Sequence, residues 1–401
     1  MLTLDPEALD GSAPGDPEAV VREARRRQRR RWLFCSAALV VVVAVAGAAA
    51  VAGSGRVQSG HHPGTTAPRP TVHPTPLPTS AQPETPGSLA LAPNGDLYVA
   101  DDARSEIFER LPDGSFRLVA GDGTAGFSGD GGPATAAEID DPGAMAVASS
   151  GTLYFTSNGR VQAVLPTGTI TTVAGDGHHS AWVPDGTPAL DAHLLGPTSI
   201  TLSPSGQLYI ATGNQVLALQ PDGTLTNVLG YRGPYGGIYG LGGPAVDASA
   251  DGAAGLAFNA AGDLFVFGFS TKSVLMVTPR GILRLVPGTI YPRGSGGLVS
   301  TPRGAVLAMS DTSIVRLTPQ GERTVKAFPT GPTPPDTYVG VTNVAPAGIA
   351  VAPDGTIYFD TNPNDGYSNA AVIAAIPPGG KGTLLWRRGR SLPASASRSS
   401  H

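Results

Sequence analysis

The chain has 401 residues, of which 54 are glycine, 38 are proline and 14% are charged, and its formal net charge at pH 7 is −4. This composition favours a turn-rich, all-β protein, and the lack of a basic stripe argues against a nucleic-acid partner. The single cysteine, Cys35, excludes an internal disulfide, so packing and hydrogen bonds must hold the fold.

Residues 1–52 predict a cytoplasmic tail followed by a transmembrane helix. Residues 33–52 carry no charge and match the roughly 20 residues that a helix needs to cross a bilayer. Seven arginines lie between Arg22 and Arg31, whereas residues 53–67 contain only Arg56. The positive-inside rule therefore places residues 1–32 in the cytoplasm and the chain after the span outside the cell. A cleaved signal peptide is the alternative, because Ala50-Val51-Ala52 resembles a cleavage site.

Residues 53–86 are rich in proline and threonine and poor in large apolar side chains. Such a segment cannot form a core and predicts an extended linker between the membrane and residue 87 onward. Its histidines, His61, His62 and His73, could bind a metal as a loose cluster. At the other end of the chain, residues 387–401 predict a disordered basic tail.

Six segments between residues 87 and 386 repeat one pattern of four short apolar runs separated by turns. Each has a turn glycine just before a run around Leu-Tyr or its equivalent; these glycines are Gly95, Gly151, Gly206, Gly262, Gly304 and Gly355. Their spacings of 56, 55, 56, 42 and 51 residues are typical of stacked supersecondary units. One such unit cannot bury both faces of its sheet, so the six should pack into a closed ring.

The sequence thus predicts an all-β, six-bladed β-propeller of four-stranded antiparallel blades over residues 87–386. All four apolar runs of each blade fall inside one repeat, so no blade is expected to be split between the two ends of the chain. We therefore expect packing between the first and last blades to close the ring.

The repeats resemble the NHL repeat family. The resemblance rests on NGDLYVADD from Asn94, on a turn of the P-D-G type at Pro112, and on TVAGDG from Thr172. The segment from Gly121 to Pro142 is similar to inter-repeat segments of bacterial NHL proteins and of teneurin NHL domains. The resemblance implies a six-bladed propeller. Its members include extracellular sensor domains of actinobacterial receptor kinases, protein-binding and RNA-binding modules, and lyase or lactonase-like relatives, so it does not choose a chemistry.

The long connections between blades predict a binding face. Strand parity places residues 122–142, 176–197 and 231–253 on one face of the ring, where long loops on a rigid scaffold usually build binding sites. This face is expected to be acidic; its candidate residues are Asp130, Asp140, Asp141, Asp185, Asp191 and Asp247. They could bind calcium or attract a basic partner, or they could form Asx turns in glycine-rich loops. No stretch fits a calcium loop.

Three tyrosines in the third connection, Tyr231, Tyr235 and Tyr239, could form an aromatic platform for a sugar or peptide, or could pack on their own loop.

An enzyme is the alternative prediction. Propeller lyases and lactonases place metal ligands around the central channel, but the starts of the first strands here carry no histidine or carboxylate. His178, His179 and His193 lie in one connection and could hold a metal together only if that connection folded back. The ends of the second strands could hold a divalent ion or cap the following turns; these residues are Asp101, Asp102, Asn158, Asn214, Asp311, Asp360 and Asn362.

The predicted function is therefore that of an extracytoplasmic, membrane-anchored NHL propeller acting as a binding, sensor or interaction scaffold for a protein, peptide or glycan. The alternative is a metal-dependent, lactonase-like hydrolase or lyase. No catalytic residue is predicted, and calcium is the one cofactor that the acidic face suggests.

Overall fold

The computed structural model describes residues 82–180, 182–230, 237–249, 252–288, 297–309, 313–327, 348–361, 372–378 and 383–387. The predicted tail, transmembrane helix and most of the linker, together with residues 388–401, lie outside these ranges. Within them, no helix has the length and apolarity needed to cross a bilayer. The membrane anchor at residues 33–52 therefore stays a prediction.

Within the described ranges, twenty-five strands form six antiparallel sheets in chain order, which confirms the predicted six-bladed propeller. Blade 1 consists of β1 (Pro86–Leu91), β2 (Leu97–Asp101), β3 (Glu106–Arg110) and β4 (Phe116–Ala120). Blade 2 consists of β5 (Met145–Val147), β6 (Leu153–Ser157), β7 (Arg160–Val164) and β8 (Ile170–Ala174). Blade 3 consists of an added edge strand β9 (Thr187–Pro188) and of β10 (Pro197–Leu202), β11 (Leu208–Thr212), β12 (Gln215–Leu219) and β13 (Thr224–Leu229).

The last three blades follow the same order. Blade 4 consists of β14 (Ala253–Phe258), β15 (Leu264–Gly268), β16 (Ser273–Val277) and β17 (Leu283–Leu285). Blade 5 consists of β18 (Leu298–Ser300), β19 (Val306–Met309), β20 (Ser313–Thr318) and β21 (Gly321–Ala327). Blade 6 consists of β22 (Ile349–Val351), β23 (Ile357–Thr361), β24 (Val372–Ile376) and β25 (Thr383–Arg387).

The turn glycines close the first hairpin of every blade. In blade 1 the N–H of Gly95 donates to the carbonyl of Ala92 at 2.9 Å, and the N–H of Ala92 donates to Asp96. Gly95 has φ +96°, and the other five turn glycines also have positive φ. This is a type I turn followed by a left-handed residue, a position that glycine occupies without steric strain.

Side chains alternate between the two faces of each blade, and both faces are buried. Along β2, Leu97 and Val99 pack toward blade 6, whereas Tyr98 and Ala100 pack toward blade 2. Successive side chains of a strand point to opposite faces, so a strand buried on both faces reads as a continuous apolar run. This explains the Leu-Tyr-Val-Ala runs of the repeats.

Six hydrophobic clusters fill the six junctions between neighbouring blades. The first strands of neighbouring blades lie side by side around the ring, and the last of these contacts joins β22 to β1. At that junction Leu89, Leu97 and Val99 of blade 1 pack on Ala350 and Ile373 of blade 6. Packing between blades 1 and 6 therefore closes the ring, as the sequence predicts.

Gly348 lies at the point of closest approach in this closure. A Cβ on Gly348 would stand 2.5 Å from the backbone nitrogen of Leu89. The N–H of Gly348 also donates to the buried carboxylate of Asp360 at 2.5 Å. At the equivalent Gly255 of blade 4, the nearest heavy atom to a Cβ is the Cβ of Phe267 at 3.4 Å, so that junction has more room.

We expect Gly348→Ala to lower the free energy of unfolding by about 1–3 kcal/mol, because the backbones of blades 1 and 6 must separate. Gly255→Ala is the matched control, and its effect should stay within about 1 kcal/mol because alanine also restricts the unfolded chain. Thermal and denaturant unfolding of both variants checks this. Equal losses at the two positions would show that closure does not depend on the approach at Gly348.

Two buried glutamines differ in how their amides are bonded. Gln162 of β7 is fully buried beside Phe155, and neither its Oε1 nor its Nε2 has a hydrogen-bond partner. Phe108, Leu217 and Leu275 fill the equivalent positions of blades 1, 3 and 4. Gln215 of β12 instead accepts from the N–H of Val183 at 2.8 Å and donates to its carbonyl at 3.0 Å.

Gln162→Leu should raise the free energy of unfolding by about 1 kcal/mol, because a buried amide without partners costs about that much. Gln215→Leu should lower it by a similar amount or more, because it leaves the buried N–H and carbonyl of Val183 unbonded. Denaturant unfolding of the two variants measures both effects. A loss of stability in Gln162→Leu would overturn the first expectation.

Candidate functional site

The long connections leave the outer strand of each blade through a tightly packed glycine. At Gly175, which follows β8 and has φ +87°, a Cβ would overlap the carbonyl oxygen of Gly159. Gly121 and Gly230 follow β4 and β13 and pack in the same way on Ser105 and Asn214. These carbonyls belong to the turns between the second and third strands, so the start of each connection is anchored beside that turn.

Each connection then runs along the outer edge of the next blade. In the second connection β9 pairs with β13. In the first and third, Pro133 pairs with Thr169 of blade 2 and Pro244 with Ile282 of blade 4. A single 3₁₀ turn follows in each, and its first alanine is buried. The connections are thereby bonded to two successive blades, which holds them as rigid parts of the ring.

Two of the candidate acidic residues lie together at the end of the first connection. Asp140 accepts a hydrogen bond from the side-chain amide of Asn158 at 2.7 Å. Asp141 follows it with φ +49°. Burial raises the pKa of Asp141 above its usual value, and the neighbouring charges of Asp102 and Asp140 raise this pKa further. The structure thus brings Asp102, Asp140 and Asp141 into one acidic group.

The other candidate acidic residues are spread around the ring. Asp130 is exposed in the first connection. Asp185 accepts from the backbone N–H of Asn227 at 2.9 Å, which places it at the outer edge of blade 3. Asp191 and Asp247 are exposed and end equivalent 3₁₀ turns, one on blade 3 and one on blade 4. The sequence predicts these residues on one face, in three successive connections, and this acidic face stays a prediction.

Of the three candidate tyrosines, only Tyr239 lies in the part of the chain that the structure describes. Its side chain is 51% exposed. Its carbonyl accepts a hydrogen bond from the N–H of Ser249 at 3.2 Å, which ties the two arms of the third connection together. Tyr231 and Tyr235 lie outside the described residues, so the aromatic platform stays a prediction.

The second connection brings a carboxylate and two imidazoles together. The Nδ1 atoms of His178 and His193 lie 3.0 Å and 2.8 Å from the same carboxylate oxygen, Oδ2 of Asp176. Burial raises the pKa of Asp176, but hydrogen bonds from His193, from the N–H of His178 and from the His178 ring outweigh this and hold the pKa well below its usual range. Asp176 is therefore ionised at neutral pH.

This group exists because the connection folds back on itself, the condition that the sequence left open. The N–H groups of Gly175 and Asp176 donate to the carbonyls of Ala189 at 2.8 Å and Ala192 at 3.1 Å. Within the described residues, it is the one set of three or more histidine, cysteine or acidic side chains whose ligand atoms lie within 4.8 Å of one another. None of the six candidate acidic residues belongs to it. The signal in the sequence was the Asp-x-His spacing at 176–178.

The centre of the ring presents small and apolar residues. The six first strands read PGSLAL, MAV, PTSITL, AAGLAF, LVS and IAV, without an ionisable side chain. Near the ends of the second strands, Asp101 is buried and accepts from the hydroxyl of Thr85 at 2.7 Å and from the N–H of Arg104 at 3.3 Å. Asp101 and Asp360 are thus engaged in internal hydrogen bonds. Asp311 and Asn362 lie outside the described residues.

Comparisons with known proteins find partial similarities and assign neither a family nor an activity. No family model matches it. It is 30% identical over 162 residues to Teneurin-m of Drosophila melanogaster, and the match spans 35% of this chain and 6% of that protein. The similarity suggests NHL-like repeats in that part of the chain.

Similar solved structures include a streptogramin B lyase (17% identity, TM-score 0.46, 79% of this chain and 87% of that chain). They also include a virginiamycin B lyase from Staphylococcus aureus (15%, 0.46, 77% and 86%) and a gluconolactonase from Xanthomonas campestris (14%, 0.47, 74% and 86%). At these identities and TM-scores, the likeness does not assign their activities to this chain.

The acidic group at the end of the first connection predicts a pH-dependent effect of Asp141→Asn. Because the pKa of Asp141 is raised in the folded protein, ionisation of Asp141 opposes folding. This penalty is absent below the unfolded-state pKa of about 3.9 and develops as the pH rises through the folded-state value.

We therefore expect Asp141→Asn to raise the free energy of unfolding at pH 7 by about 0.5 kcal/mol, the scale of a screened charge. Asparagine also accepts the left-handed backbone at this position. Denaturant unfolding at pH 7 and pH 3.5 measures the effect, which should shrink at the lower pH. Asp130→Asn, at an exposed site, is the control, and an equal gain there would contradict the assignment.

Proposed function

We propose that this chain is a membrane-anchored, extracytoplasmic NHL-type propeller that binds a basic or amine-bearing protein, peptide or glycan on the face carrying its long connections. The supporting observation is the difference in charge between the centre of the ring and the first connection. The six first strands, which line the centre, hold no ionisable side chain. The first connection instead carries several carboxylates, of which Asp122 and Asp130 are exposed.

The charge of the first connection favours a basic ligand. Residues 122–142 contain five carboxylates, at Asp122, Asp130, Glu138, Asp140 and Asp141, and no lysine or arginine. Burial raises the pKa of Asp141, and repulsion from Asp102 and Asp140 raises it further. A cationic ligand would relieve that repulsion. Calcium could do the same, because carboxylate oxygens are its preferred ligands.

The rigidity of the connections favours recognition by a preformed surface. Their glycines pack on backbone, their returning arms pair with the next blade, and Asp140 is bonded to Asn158. A surface that is ordered before binding loses less conformational entropy when the ligand binds. The predicted span at residues 33–52 and the proline-rich linker would present this surface outside the cell.

The full-length chain, reconstituted in nanodiscs, can be tested against basic, neutral and acidic peptides and against envelope glycans by biolayer interferometry. We expect basic ligands to bind and their association to weaken as the salt concentration rises, because exposed charges are screened beyond about 8 Å at 0.15 M. The double variant Asp140→Asn with Asp141→Asn should slow association.

The matched control is the double variant Asp113→Asn with Asp354→Asn. It removes the same charge from short hairpin turns of blades 1 and 6, which strand parity places on the opposite face. Equal effects of the two double variants would contradict a site on the connections. Lactone or ester hydrolysis by the full-length chain would instead favour the enzyme alternative. A calcium titration without heat or thermal shift would remove calcium from the proposal.

A further inference from the structure

The second connection carries a group of side chains that the proposed function does not use. One ligand atom from each of Asp176, His178 and His193 lies within 4.8 Å of the others, and the two imidazole rings meet edge to face with centroids 5.5 Å apart. Asp176 follows β8, the outermost strand of blade 2, so the group lies away from the first strands at the centre. It is also separate from the acidic group of Asp102, Asp140 and Asp141.

Hydrogen bonds hold both segments that supply these side chains. The Asp176 N–H donates to Ala192 and the Nδ1 of His179 to the carbonyl of Leu194 at 3.0 Å, so the residues on either side of His193 are tied to the segment of Asp176. The N–H of His178 donates to Asp176 Oδ1 at 2.8 Å, which fixes the carboxylate and leaves Oδ2 facing the imidazoles. Folding therefore brings these three side chains together without a ligand.

Arg160 of blade 2 also holds the segment that contains Asp176. The guanidinium of Arg160 donates to the carbonyl of Asp176 at 2.7 Å and stacks on the ring of Phe127 with its carbon 3.7 Å from the centroid. Gly177 packs on the same guanidinium, where a Cβ would overlap it. Arg160 thus joins the first and second connections and sets the backbone position of Asp176.

We propose that Asp176, His178 and His193 bind one divalent cation of the Zn²⁺ class, with at least one coordination position open to solvent. Two imidazole nitrogens and one carboxylate oxygen suit Zn²⁺, Cu²⁺ or Ni²⁺, whereas Ca²⁺ and Mg²⁺ favour sites made of oxygen. Three protein ligands are also the number found in zinc sites that keep an open position.

Both imidazoles already lie near the carboxylate at close to the spacing that a metal site requires. With metal–ligand distances of about 2.0–2.1 Å, tetrahedral ligands stand about 3.3 Å apart, compared with the 2.8 Å and 3.0 Å between the imidazoles and Oδ2 here. The side chains of His178 and His193 are 79% and 53% exposed. Their rings can therefore move apart by the required few tenths of an ångström without disturbing the core.

The test is zinc binding by the full-length chain in detergent, measured by isothermal titration after chelator treatment. Because His61, His62 and His73 of the linker are competing ligands, the reference protein carries His61→Gln, His62→Gln and His73→Gln. We expect this reference to bind one Zn²⁺ per chain and millimolar Ca²⁺ not to displace it. Adding His193→Gln or Asp176→Asn should weaken binding at least tenfold.

Asp176→Asn is the conservative variant, because an asparagine oxygen can still accept from the His178 N–H, and circular dichroism verifies its fold. X-ray absorption of the zinc-loaded reference supplies a measurement that needs no further variant. Two imidazole ligands per zinc at about 2.0–2.1 Å support the site. The proposal would be overturned if the reference protein did not bind zinc, or bound it without imidazole ligands. It would also be overturned if His193→Gln left the zinc affinity unchanged. The outcome does not depend on whether the acidic face binds a basic ligand.

Discussion

The burial of both faces of every blade is the constraint on which the rest of this structure depends. A single four-stranded sheet with apolar side chains on both faces, as along β2 and β15, would expose one or both apolar faces to water and would not be stable alone. Each blade is covered by two neighbours, and six such junctions return the chain to its starting point. Among the described strands, none is shared between blades 1 and 6. The ring is therefore held closed by the close backbone approach at Gly348 and by the packing around Leu89.

The rigid ring turns long connections into fixed surfaces. A connection of some twenty residues between blades would be costly to order if it were tethered only at its ends. Here a glycine anchors the start, pairing with the next blade holds the middle, and a buried alanine in a 3₁₀ turn leads into the following first strand. These three features recur in the connections after blades 1, 2 and 3. The connections therefore differ in their side chains but share the same anchoring contacts.

The first strands and the connections of this ring differ in the polarity of their side chains. Its first strands are built from small and apolar residues, and the buried carboxylates Asp101 and Asp360 accept hydrogen bonds that hold neighbouring backbone. The clustered ionisable side chains lie at the periphery. The first connection contains several carboxylates, and the second brings one carboxylate together with two imidazoles. Two adjacent connections are thus joined through Arg160 and Phe127, and they carry different sets of polar side chains.

The sequence by itself determined the number of blades, the order of the strands and the position of each first hairpin, because these follow from local signals. Turn glycines such as Gly95 need a positive φ, and alternating apolar side chains on short runs need two buried faces. Those signals act over a few residues, and the structure confirms the six predicted blades of four antiparallel strands. The tertiary structure alone decided which polar residues meet. His178 and His193 are fifteen residues apart in the chain, and they converge because the second connection folds back until the N–H of Asp176 donates to the carbonyl of Ala192. No local pattern contains that contact. Contacts between distant segments likewise bring Asp140 beside Asn158 and Asp141 near Asp102.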